Sequence, residues 1–119
     1  MKTPTLISII FCAIPSLAFA DMKPVDATNV HQALSGAHYT CLLAELEFEM
    51  TFAEVPLDAR EFPYEVKTGN QTGQDAYVVA ESGEIKLQSG DAVRYLAFNE
   101  RTLNVAKTQV GRPAVCTRN

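Results

Sequence analysis

Three glutamates at alternate positions, Glu45, Glu47 and Glu49, and two widely separated cysteines, Cys41 and Cys116, are the residues of this chain whose types and spacing can do chemistry. On an extended strand alternate side chains share a face and repeat about every 7 Å. The three carboxylates therefore predict an acidic strip able to receive a cation, a divalent metal or the basic surface of another protein. Repulsion between neighbours at that spacing in water is about 0.6 kcal/mol, so a solvated outer face with opposed Lys or Arg side chains fits the same pattern. No DxDxDG-like loop accompanies the strip, which argues against calcium. His31 and His38 stand seven apart with no third ligand in register, which argues against a transition metal. A GxSxG elbow and a Gly-rich phosphate loop are both missing from the sequence, and paired acids for glycoside hydrolysis are supplied by number alone. The expectation is a binding module with no catalytic residues, no metal and no cofactor.

The cysteines take their meaning from the start of the chain. Lys2 forms a short positive region, Leu6 to Ile14 an apolar run, and Ala18-Phe19-Ala20 a small-x-small cleavage site, the pattern of a secretory signal peptide over residues 1–20. The run is shorter than the roughly 20 residues a membrane span needs, and Pro15 interrupts it. Cys12 follows Phe11 rather than the small residue that lipidation requires. Export to the periplasm, or secretion, is thus expected, with no stable membrane insertion after cleavage and with 21–119 as one small domain. In that oxidising setting the remaining pair, Cys41 and Cys116, reads as a disulfide. The long loop between them gives a chain-entropy stabilisation of roughly 4.5 kcal/mol.

Charge is distributed unevenly over the exported part. Residues 21–65 carry nine carboxylates against two cations, a net of −7, whereas residues 67–119 carry seven cations against five carboxylates, a net of +2. The acidic balance excludes nucleic acid and anionic membrane as partners and favours a basic protein.

These residues need elements to hold them. Thr28 is positioned to cap a short helix with Val30, Ala33 and Leu34 on one stripe, ended by Gly36. From His38 the apolar period changes to two: Leu42, Ala44, Leu46, Phe48, Met50 and Phe52 alternate with the glutamates, predicting one strand to Ala53 with a bend near Leu43 that turns Cys41 inward. Downstream, strands are expected at Tyr64–Lys67 and Ala76–Glu81. A two-residue turn at Ser82-Gly83 sets Val78 opposite Leu87, and a turn at Asn99-Glu100 sets Leu96 opposite Leu103. Apolar residues on both parities of Val93–Phe98 predict a strand covered on both faces. Six or seven short strands and a short N-terminal helix indicate a mostly β, antiparallel meander forming a small barrel or sandwich.

Tyr39-Thr40-Cys41 near the start of the exported domain, with Cys116 near its end, resembles the arrangement in bacterial inhibitors of C-type lysozyme. The resemblance implies a small antiparallel barrel, a terminal-to-terminal disulfide, and a basic enzyme as partner. Ser35-Gly36-Ala37-His38-Tyr39 has the spelling of that family's SGxxY motif. It precedes the first cysteine, whereas the family places it mid-chain, so no inhibitory residue is transferred.

Overall fold

In the computed structural model, which describes residues 22–119, the chain forms a closed antiparallel barrel of eight strands. The expected signal peptide, residues 1–20, lies outside the described residues. Strand β1 (Lys23–Pro24) and the five-residue helix α1 (Val30–Leu34) precede the barrel strands β2 (His38–Leu43), β3 (Leu46–Phe52), β4 (Glu61–Thr68), β5 (Gln71–Val79), β6 (Ile85–Leu87), β7 (Val93–Phe98), β8 (Thr102–Ala106) and β9 (Ala114–Arg118). Each of β2 to β9 pairs with its neighbours in sequence, and β9 closes onto β2. Strand β1 lies along β7 with Lys23 opposite Phe98, beyond the short reach of β6.

The expected single strand from His38 to Ala53 is instead two strands. The chain reverses at Ala44-Glu45 and pairs Leu43 with Leu46 and Cys41 with Phe48. That register puts Tyr39 and Cys41 on the same inner face as Met50 and Phe52. Leu42, expected in the core, is 51% exposed because the reversal flips its parity relative to Met50. Ala44 makes the turn at a φ of 54°, a left-handed conformation that costs a residue with a Cβ about 1–2 kcal/mol.

Two other registers differ from expectation for local reasons. Gly83, at a φ of 93°, allows a three-residue loop over 81–83, so Val79 rather than Ala80 faces Ile85 and Tyr77 rather than Val78 faces Leu87. The β7–β8 turn is centred on Glu100-Arg101, because Asn99 Oδ1 accepts the amides of Arg101 and Thr102 at 3.1 and 3.0 Å. Leu96 therefore faces Val105, and Phe98 faces Leu103. Strand β7 is covered on one side only: Leu96 and Phe98 are buried, while Tyr95 on the opposite parity is 39% exposed.

An eight-stranded barrel is just wide enough for side chains to fill it. Here aromatic rings do so. Phe52 meets Tyr39 edge-on at 6.3 Å and lies 5.4 and 5.9 Å from Tyr64 and Tyr77, which are themselves 4.8 Å apart. Phe62, Leu103, Cys41 and Cys116 are completely buried among them.

The segment carrying α1 covers one end of the barrel. Ala33 and Leu34 are fully buried, the Tyr39 hydroxyl donates to the Ala33 carbonyl at 2.6 Å, and Arg118 Nη1 donates to the Gln32 carbonyl at 3.2 Å. Five residues are too few for a helix to persist alone, so packing holds it. Asn29, not Thr28, precedes its first residue, since the Thr28 hydroxyl is engaged by the Asp26 carboxylate at 2.6 Å. Gly36 follows at a φ of 67° against Glu54, where an added Cβ would lie 2.9 Å from Cγ.

Candidate functional site

Cys41 and Cys116 stand directly opposite each other on β2 and β9 and are joined by a disulfide. These are the first and last strands of the barrel, so the bond staples the seam at which the cylinder closes. The seam is also tied by Asn119, whose amide donates to the His38 carbonyl at 2.9 Å and whose Nδ2 donates to Thr40 Oγ1 at 3.1 Å.

Beside the seam, the β2–β3 hairpin presents the glutamates. Glu47 and Glu49 share the outer face of β3, and Glu45 stands at the turn rather than on a strand. All three are exposed. Glu49 Oε1 lies 2.9 Å from His38 Nε2, and Glu49 sits opposite Lys67 of β4 in register. The carboxylates of Glu45 and Glu47 make no such contact. Beside them the outer face exposes apolar surface: Leu42, which pairs with Glu47, is 51% exposed, and Val115, which pairs with Leu42 across the seam, is 43% exposed, whereas Leu46, also exposed, stands opposite Leu43 on the inner parity of Phe48 and Met50. The outer face thus combines free carboxylates with Leu42 and Val115 on a backbone fixed by a covalent bond.

The residues of the SGxxY-like segment have structural partners. Ser35 Oγ accepts the Val55 amide at 2.9 Å, and Tyr39 is 1% exposed. His31 reaches the Val55 carbonyl at 2.8 Å and His38 reaches Glu49, so the two histidines serve different contacts.

At the end opposite α1 the barrel opens into a cavity of about 190 Å³. Leu43, Phe48, Met50, Val66 and Val105 form apolar walls, and Arg94, Lys107 and Arg112 stand among them. Sequence reading missed this convergence. The signal for Arg94 was its parity, since it shares the inward side of β7 with Leu96 and Phe98. Lys107 and Arg112 carry no such signal, because the β8–β9 connection brings them there.

Arg94 lies near the hydroxyls of half-buried Tyr64 and buried Tyr77. Burial, followed by the nearby Asp75 carboxylate, pushes the Tyr64 hydroxyl up to about 12, against the opposing pull of Arg94. Tyr77 is also raised, first by burial and then by Tyr64. Asp75 is held below its ordinary value chiefly by the Ser89 hydroxyl, which donates to Oδ2 at 2.6 Å. For the tyrosines the folded state favours the neutral form. Their contribution to stability is complete below the ordinary tyrosine value of 10.0 and is lost as pH rises toward the folded value of Tyr64. The urea midpoint is therefore expected to fall above about pH 10, and less steeply in Tyr64→Phe. Four tyrosines all titrating together near the free value would contradict this.

No protein-family model, no curated protein and no solved structure matches the chain.

Proposed function

We propose that the protein is an exported binding module, not an enzyme, that captures a basic protein partner through the outer face of its β2–β3 hairpin. The observation that carries this reading is the grouping of exposed Leu42 and Val115 with the free carboxylate of Glu47 on the outer face of one stapled hairpin, with Glu45 at the adjoining turn. Apolar contact at the centre supplies affinity, and the carboxylates speed encounter and reject acidic competitors. The disulfide agrees with a non-reducing compartment such as the periplasm. The resemblance to lysozyme inhibitors makes a C-type lysozyme the first basic protein to test.

The test is retention of lysozyme, and of basic proteins from envelope extract, on immobilised oxidised protein. Simultaneous Glu45→Lys, Glu47→Lys and Glu49→Lys substitution is expected to weaken retention by about tenfold or more, in line with the energies of interfacial charge pairs. All three positions are exposed, so the fold should be kept. Equal retention by the wild type and the triple variant would overturn the proposal.

A further inference from the structure

We propose that the open mouth of the barrel binds a small amphipathic anion, a carboxylate-type head on an apolar body the size of one aromatic ring or a short alkyl chain. The site is separate from the hairpin face and does not depend on it. Its volume sets the body: an apolar cavity of about 150 Å³ holds benzene, and this one measures about 190 Å³. Its walls are mostly the inward side chains of Leu43, Phe48, Met50, Val66 and Val105, which accept an apolar group, with Tyr77 beside them.

Its charge sets the head. Arg94, Lys107 and Arg112 line the cavity and no carboxylate does, although the chain as a whole has a net charge of −4. Arg94 stands half-buried on the inner face and donates from Nη1 to the Val93 carbonyl at 3.2 Å. A guanidinium has five N–H donors, so most remain available. The Asp75 carboxylate, which feels the charge of Arg94, is engaged by the Ser89 hydroxyl and by the amides of Ala76 and Ser89. A half-buried cation beside apolar walls interacts with an anion more strongly than it would in open water. Neither the walls nor the cations alone would select for an amphipath; their convergence at one barrel end does.

The probes are benzoate and hexanoate, each compared with its uncharged counterpart, benzyl alcohol and hexanol. They are titrated into oxidised protein whose methyl resonances are followed by NMR. At least one acid should shift the Met50, Leu43 and Val105 methyls with a Kd of about 1 mM or tighter, at least tenfold tighter than its alcohol. Arg94→Met should remove most of that preference. Joint Lys107→Ala and Arg112→Ala substitution should weaken acid binding severalfold, and it alters exposed loop residues that no core packing requires. Equal affinity for acid and alcohol, absence of shifts at the cavity methyls, or an unchanged acid preference in the Lys107/Arg112 variant would each overturn the proposal.

Discussion

Replacing Cys41 and Cys116 together by alanine lowers the unfolding free energy by about 4.5 kcal/mol, the chain-entropy value for a cross-link of this length. The two residues are 75 apart in sequence, so the unfolded chain gains much freedom when the bond is lost. The native state also suffers. Both sulfurs are fully buried between β2 and β9, and their loss leaves unfilled space at the seam. Small domains have total stabilities of about 5–15 kcal/mol, so the variant should be only marginally folded. Urea unfolding of the oxidised protein, the reduced protein and the double variant measures this directly. A large drop in midpoint shared by the last two is expected. A loss under about 1 kcal/mol would mean that hydrogen bonding and packing close the barrel without the staple.

Phe62→Ala is expected to cost about 3–5 kcal/mol. Phe62 has no exposed surface and lies opposite Tyr77 in the β4–β5 register. It is one of the largest side chains sealed inside the barrel. Its removal leaves a void that backbone-bonded strands cannot easily close. The effect should appear in the urea midpoint with the slope little changed. A cost below about 1 kcal/mol would place Phe62 outside the packed interior.

Phe62 also shows where sequence reading stops. A strand beginning at Tyr64 is expected from the sequence, and Pro63 just before it has no amide to donate to a ladder. In the barrel Pro63 is accommodated opposite Ala76, and its carbonyl still accepts the Ala53 amide at 3.0 Å. The strand therefore extends back to Glu61 and brings Phe62 inside. The alternation of Leu46–Phe52 and the hairpin character of the later chain were legible because side-chain parity is a local property. The reversal at Ala44-Glu45 was not, since neither residue favours a left-handed turn and closure of the barrel imposes it. The same holds for the site. Glu47 and Glu49 were placed correctly on one face, but Glu45 moved to the turn with the reversal. The two register differences arose where Gly83 or the Asn99 side chain, rather than the apolar pattern, set the loop length. Barrel against sandwich could not be decided from the sequence, because the choice depends on whether β9 reaches β2 across the whole length of the domain.

The proposed capture of a basic partner depends on the carboxylates of the hairpin acting together with exposed Leu42 and Val115 beside them. The most direct measurement is the affinity of the oxidised protein for a C-type lysozyme, determined side by side for the wild type and for the variant carrying Glu45→Lys, Glu47→Lys and Glu49→Lys. The predicted result is saturable binding by the wild type that weakens about tenfold or more in the variant, with the urea midpoints of the two kept close. Binding of equal strength by both proteins would contradict the proposed role of the hairpin.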